Sequence, residues 1–270
     1  MEIKEYPSGK TAVYKFDTDD APKAMILLIH GFGEHAGRYK SWASKFNEIG
    51  ISLRSFDLPG HGLSEGRRGL MPPMQVIYDT VDQIRTEMIS ETPGVPLFLY
   101  GHSLGGLIVL DYLIERKPAV TGAIVTSPWI RLSYEPSKVK QVLAGLMRRV
   151  MPRFTQPTEL IVEHMSRDME EVASYRSDPR IHGLMSAGLW GAINDAAKEA
   201  LHRASEINIP LLVMHGRADM IMSPSSSVDI AQAAPKSTLK LWDGGYHELH
   251  NDLVKEEHFD FIVDWINTLL

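Results

Sequence analysis

The segment Gly101-His102-Ser103-Leu104-Gly105-Gly106 sets a serine between glycines, directly after the apolar run Leu97 to Tyr100 and directly before the helical pattern Leu104 to Arg116. A serine so placed sits on a tight strand-to-helix turn that lifts its hydroxyl above a sheet. The glycines keep side chains from colliding where strand and helix converge. Spacing alone is weak, because a helix-capping serine in a glycine-rich turn has the same look. The strand before and the helix after are what point to a nucleophile. A hydroxyl attacks poorly until a base takes its proton, and an acyl oxyanion needs two hydrogen-bond donors. The Leu104 N–H, at the positive end of the predicted helix, is one candidate donor. His30-Gly31-Phe32-Gly33 follows a second apolar run, Met25 to Ile29, and supplies the other at the Phe32 N–H. The His30 side chain itself reads as a hydrogen-bonded structural group.

For a serine on such a turn, the acid and then the base follow later in the chain, each on a loop after a strand. Leu211 to Met214 leads through His215-Gly216-Arg217-Ala218 to Asp219, and Thr238 to Trp242 leads through Asp243-Gly244-Gly245-Tyr246 to His247. Asp219 is therefore the expected acid and His247 the expected base, with Asp243 as the alternative acid. The chain has eleven histidines, so position must decide among them. His250 falls near a helix start, His215 follows its strand too closely to extend over the serine, and His102 is the neighbour of the nucleophile. With no cysteine, thiol nucleophiles, disulfides and zinc–thiolate sites are excluded. No metal or organic cofactor is expected.

The elements that must position these residues alternate. Strand-like runs at Met25 to Ile29, Ile51 to Phe56, Leu97 to Tyr100, Ala123 to Thr126, Leu211 to Met214 and Thr238 to Trp242 are short, apolar and bounded by Gly, Pro or charge. Such runs mark strands buried on both faces of a parallel sheet. Helical patterns separate most of them: Tyr39 to Ile49, Met74 to Ile89, Leu104 to Arg116, Pro224 to Ala233 and Leu253 to Leu269. The fold class is thus α/β, a mostly parallel central sheet flanked by helices. Alternation stops in the stretch 129–205, where no strand-like run is evident. This stretch is expected to be an inserted helical cap, with 1–128 and 206–270 forming the core. Within it Val139, Val142, Leu143, Leu146, Met147 and Val150 make one apolar stripe on a helix starting near Pro136, and helical patterns continue through Leu160 to Met165 and Leu189 to Leu201.

Composition narrows the partners. At 44% hydrophobic and 23% charged residues the chain is neither disordered nor fibrous, and 270 residues suffice for a sizeable core. A net charge of -6 without a Lys/Arg run gives no footprint for nucleic acid. No apolar run approaches the roughly 18 residues that span a bilayer. The charged start Met1-Glu2-Ile3-Lys4-Glu5, with no long apolar segment before Ala24, predicts a cytoplasmic protein.

Together the segments resemble the monoacylglycerol lipase and lysophospholipase group of α/β-hydrolases, which is filed with the serine aminopeptidases. The resemblance rests on His30-Gly31-Phe32-Gly33-Glu34-His35 with Arg38-Tyr39, on Asp57-Leu58-Pro59-Gly60-His61-Gly62 through Ser64-Glu65-Gly66, and on Gly101 to Gly106. His215 to Asp219 and Tyr246-His247-Glu248 complete it. It implies Ser103, Asp219 and His247 as triad and the Phe32 and Leu104 amides as oxyanion hole, the residues reached above. Asp57 and His61 belong to a loop that reads as structural. In the cap only Asp178-Pro179 and His182-Gly183 are familiar, so the substrate must be read from the residues. Val142, Leu146, Met147, Leu184 and Trp190 are expected to line an acyl tunnel, methionine adapting to chains of different length. The implied activity is hydrolysis of a monoacylglycerol, with transient contact with lipid aggregates. A lysophospholipase or thioesterase would use the same machinery. An aminopeptidase would instead need acidic cap residues for a substrate ammonium, and Glu159, Glu163, Asp168, Glu170 and Glu171 are available. A non-catalytic receptor on this scaffold would be expected to have lost a triad member.

Overall fold

A computed structural model describes residues 1–134 and 136–270. Among the described residues ten strands form in chain order: β1 (Glu2–Tyr6), β2 (Gly9–Phe16), β3 (Ala24–Ile29), β4 (Ile51–Phe56), β5 (Leu97–His102), β6 (Gly122–Thr126), β7 (Thr155–Pro157), β8 (Leu184–Ser186), β9 (Leu211–Gly216) and β10 (Ser237–Trp242). Eight helices accompany them: α1 (Lys40–Glu48), α2 (Met74–Glu91), α3 (Leu104–Arg116), α4 (Lys138–Val150), α5 (Met169–Ser177), α6 (Ala187–Arg203), α7 (Pro224–Ala233) and α8 (Lys255–Asn267). Eight strands make one sheet in the order β1-β2-β4-β3-β5-β6-β9-β10, parallel from β4 to β10 and antiparallel at β1 and β2.

Strand periodicity explains how the sheet is covered. In β3, Met25, Leu27 and Ile29 point into one apolar cluster, while Ala24, Ile26 and Leu28 point into the other. The first cluster takes Ile77 and Ile84 of α2, Leu107 and Ile108 of α3, Ile193 of α6 and Ile230 of α7. The second takes Trp42 and Phe46 of α1 with Phe259 and Ile262 of α8. Both faces of β3, β5, β6 and β9 are buried, which is why these strands are nearly continuous apolar runs rather than alternating ones.

Two features depart from the sequence expectation. The hairpin of β1 and β2 extends the sheet at the edge. In β1 half-buried and exposed residues alternate, so Glu2-Ile3-Lys4-Glu5 reads as a charged terminus rather than a strand. In the stretch 129–205, expected to be free of strands, β7 and β8 pair antiparallel with Gln156 opposite Met185. Three-residue strands carry too little periodicity to be seen. The helices of this stretch are also unlike one another. The α6 helix buries Leu189, Ile193, Ala196, Ala197 and Ala200, whereas α4 buries no side chain. Among the described residues no helix is long and apolar enough to cross a membrane.

Candidate active site

Ser103 follows β5 and caps the N-terminus of α3 with φ 51° and ψ -113°, a conformation strained for a residue bearing a Cβ. The turn is tight because its glycines permit it. A Cβ on Gly105 would lie 2.0 Å from the Ile29 carbonyl oxygen, and one on Gly101 2.3 Å from the Gly105 oxygen. The backbone is pinned by Ser103 N–H donating to the Thr126 carbonyl (3.0 Å) and by Trp129 N–H donating to the Ser103 carbonyl (3.0 Å). Leu104 opens the first turn of α3, and no described residue accepts from its N–H or from Phe32 N–H. Phe32 lies in the loop after β3, which is held by Gly31 N–H donating to Glu34 Oε1 (2.6 Å) and by His182 N–H donating to the Gly33 carbonyl (2.9 Å). The Phe32 ring is fixed edge-on to Trp129, His61 and His182.

The loops after β9 and β10 bring the other two groups to the serine. They are joined by Arg217 N–H to the Trp242 carbonyl (2.9 Å) and Ala218 N–H to the Gly245 carbonyl (3.0 Å). His247 places Nε2 3.0 Å from Ser103 Oγ and Nδ1 2.7 Å from Asp219 Oδ2. Because Nδ1 faces a carboxylate it carries the hydrogen, which leaves Nε2 to accept from the serine hydroxyl. Asp219 is itself held on both oxygens. Oδ1 accepts from the N–H groups of Ile221 (2.7 Å) and Met222 (2.9 Å), and Oδ2 accepts from His247 and also from His215 Nε2 (2.9 Å). Asp243 is not brought to this site; its side chain is 93% exposed and pairs with Arg217.

Burial pushes the Asp219 carboxyl up, but the His247 charge and the two histidine hydrogen bonds outweigh it and hold the group well below the usual carboxylate range. Burial pushes His247 down, and Asp219, aided by Glu248 and Glu34, more than reverses this, so the imidazole ends above its ordinary 6.5. Its histidine neighbours move the other way: burial drives His102 well below that value and His250 to about 3. A base must be neutral to accept a proton, so with His247 as the base activity is expected to be lost as pH falls through its raised value. The acid limb of kcat/KM on a soluble ester should therefore be a single titration centred above 6.5. A limb below that value, or a flat profile from about pH 5 to 8, would count against His247 as base.

One network beneath the site was not read as functional from the sequence, although its residues carried the resemblance. Buried Arg38 donates from Nη1 to Glu34 Oε2 (2.6 Å) and from Nη1 and Nη2 to the two carboxylate oxygens of Glu248 (2.7 Å each). Glu34 also accepts from Tyr39 Oη (2.9 Å). Burial keeps Glu34 raised despite Arg38, while at Glu248 the bidentate pair overcomes burial and lowers the carboxyl well below its usual range. One guanidinium thus ties the Phe32 loop to the residue after His247. The sequence signal was Glu34 four residues before Arg38, a spacing that in most chains marks only a surface pair.

Above Ser103 and His247 lies a cavity of about 870 Å³, lined mainly by apolar side chains. Met147 and Trp190 line it as expected; Val142, Leu146 and Leu184 do not. On α4 the residues that line the cavity are Lys140, Gln141, Leu143, Ala144 and Met147, while the exposed Val142 and Leu146 do not reach it. The apolar stripe is broader than the face that the cavity uses, so hydrophobicity alone misplaced it. In β8, Met185 and Ser186 line the cavity and Leu184 does not. Among the described residues no group of three or more His, Asp or Glu side chains is arranged to hold a metal ion.

The family described as Serine aminopeptidase, S33, matches residues 20–254. An uncharacterized abhydrolase domain-containing protein of Dictyostelium discoideum is 36% identical over 91% of this chain, which spans only 26% of that protein's length. The monoacylglycerol lipase of Mycolicibacterium smegmatis is 31% identical over 96% of this chain and 93% of its own. Among solved structures, the monoacylglycerol lipase of Paleococcus ferrophilus superposes with a TM-score of 0.87 at 31% identity over the full length of both chains.

Proposed function

The chain belongs to the Serine aminopeptidase, S33, family of α/β-hydrolases, and from that premise we propose that it is a monoacylglycerol-lipase-like serine hydrolase acting through an acyl-enzyme on Ser103. The observation that carries this reading is His247 bridging Ser103 and Asp219 at the floor of a large, mainly apolar cavity. Ser103 Oγ attacks the ester carbonyl as His247 Nε2 takes its proton, and Asp219 stabilises the imidazolium that forms. The N–H groups of Phe32 and Leu104 receive the oxyanion. The intermediate collapses, the glycerol oxygen takes the proton from His247, and the fatty acyl group stays on Ser103. A water molecule, deprotonated by His247, then attacks the acyl-enzyme, and collapse of that second intermediate returns the proton from His247 to Ser103 Oγ and releases the fatty acid.

The stretch 129–205 serves in this reading as the cap, since α4, β7, β8 and the start of α6 wall the cavity. The outer face of α4, with Val139, Val142, Leu146 and Val150 exposed, supports transient contact with lipid aggregates. The aminopeptidase alternative finds less support. Of the five cap acids only Glu159 lines the cavity, and it is paired with Lys140 at 2.7 Å. Glu163 pairs with Arg176, and Asp168 and Glu171 with Lys255.

The substrate class is tested by kcat/KM on matched mono-, di- and triacylglycerols, lysophospholipids, acyl-CoA and amino-acid anilides, with Ser103→Ala as blank. A cavity walled on several sides limits bulk at the alcohol end of the ester. The monoacylglycerol should exceed the triacylglycerol by at least about a hundredfold, the scale on which steric exclusion discriminates. Equal hydrolysis of the two, or turnover confined to the anilides, would overturn the reading.

A further inference from the structure

His215 was set aside in the sequence because it lies in the strand, too early to reach the serine. It does not reach the serine; it reaches the acid. The side chain is fully buried at the end of β9 and takes no part in lining the cavity. Its Nε2 lies 2.9 Å from Asp219 Oδ2 and 3.1 Å from the Met222 carbonyl oxygen, and its Nδ1 lies 2.7 Å from Ser227 Oγ on α7. Both neighbours of Nε2 are acceptors, so Nε2 carries a hydrogen, and Nδ1 is left to accept from the Ser227 hydroxyl. Ser227 is itself completely buried, so a helix packed against β9 fixes which nitrogen is the donor.

The oxygen that His215 touches is the one that receives His247 Nδ1–H. We propose that His215, oriented by Ser227, is a positioning residue of the triad: it holds the Asp219 carboxylate against rotation and shares the charge that His247 feels. The two donors on Oδ1, Ile221 N–H and Met222 N–H, fix the other edge of the group. Without His215, Oδ2 would have the base as its single side-chain partner. Such an oxygen is a stronger acceptor, so it would stabilise the His247 imidazolium more and keep the base protonated to higher pH. His215 therefore moderates the base as well as aligning the acid. This inference rests on the proposed triad.

The test is the pH profile of kcat/KM for His215→Leu, His215→Gln and wild type on one soluble ester, with thermal unfolding measured in parallel. Leucine fills much of the volume but donates nothing. Glutamine sets its amide nitrogen where imidazole Nε2 lies. In His215→Leu the acid limb should move up by about half to one pH unit and kcat should fall about tenfold, with KM changed by less than about twofold because the residue does not line the cavity. His215→Gln should return the limb to its wild-type position. The other groups that face His247, namely His102, His250, Glu248 and Glu34, are untouched by these changes. A limb that stays in place in His215→Leu, with any loss of rate following loss of thermal stability, makes His215 a core residue and overturns the proposal. So does a limb that moves as far in His215→Gln as in His215→Leu. Should the leucine variant not fold, His215→Asn is read in its place, since its amide meets Ser227 but stops short of Asp219, and the same rise is expected. Asp219→Asn separates the two levels of inference. If it keeps wild-type turnover the triad reading is wrong. If it collapses while the limb of His215→Leu is unmoved, only the role given to His215 fails.

Discussion

Ser103→Ala and His247→Ala should each lose at least about a thousandfold in kcat/KM toward a monoacylglycerol, and covalent labelling by a fluorophosphonate should vanish in Ser103→Ala. The size follows from the attack step, which needs the oxygen of the first residue and the proton acceptor of the second at the 3.0 Å that separates them. Neither change should unfold the chain. Alanine has the same Cβ in the strained turn as serine, and the turn is held by backbone hydrogen bonds that the substitution leaves in place. Asp219→Asn should fall by up to about ten-thousandfold, since an amide turned toward Nδ1 repels its hydrogen and favours the wrong tautomer. Asp243→Asn should behave as wild type, its carboxylate being in solvent. Circular dichroism and thermal unfolding of the four variants, beside their rates, check the argument. Activity surviving in Asp219→Asn and lost in Asp243→Asn would show that the acid is misassigned.

What the sequence made legible follows from how much each feature depends on local rules. Strands covered on both faces are mostly apolar, so β3, β5, β6 and β9 stood out, and β4 and the edge strand β10 were marked by their Ile, Leu and aromatic positions, as was α3 between its flanking turns. The serine turn was readable because backbone sterics there demand glycine, whatever the rest of the chain does. The edge strand β1 needs only one covered side and can be mostly polar, so its pattern was lost among charges, and the short buried centre of β2, Thr11 to Tyr14, is flanked by Gly9-Lys10 and Lys15. Contacts between distant segments leave no local mark. Arg38 meeting Glu248 across 210 positions, and Ser227 meeting His215 from another element, are products of topology. The helix α4 shows the limit from the other side. Its stripe correctly announced a helix, but an apolar stripe says that a face avoids water and not which wall it belongs to. Val142 and Leu146 face outward where burial was expected.

That correction makes the acyl-chain prediction specific. The cavity of about 870 Å³ lies at the upper end of the roughly 300–1,000 Å³ typical of small-molecule sites, and Met147, Met165, Met185 and Trp190 are among its walls. Each methylene that moves from water into such surroundings contributes about 0.8 kcal/mol, which is about fourfold in kcat/KM. Across a series of monoacyl esters the value should therefore climb with chain length by up to about fourfold per methylene, then level off once the cavity is full. Medium-to-long chains should exceed acetate and butyrate by orders of magnitude. The side chains that produce the climb can be separated from those that only resemble them. Met147→Ser removes apolar wall and should lower kcat/KM for a long-chain ester by about five- to tenfold, with little effect on butyrate. Val142→Ser removes a side chain of similar hydrophobicity from the outer face of the same helix. With esters kept below the concentration at which they aggregate, it should leave the chain-length series where wild type has it. If butyrate is the best substrate, or if Val142→Ser and Met147→Ser depress the long-chain rate equally, the inward face of α4 is not the acyl wall and the cavity accommodates some other part of the substrate.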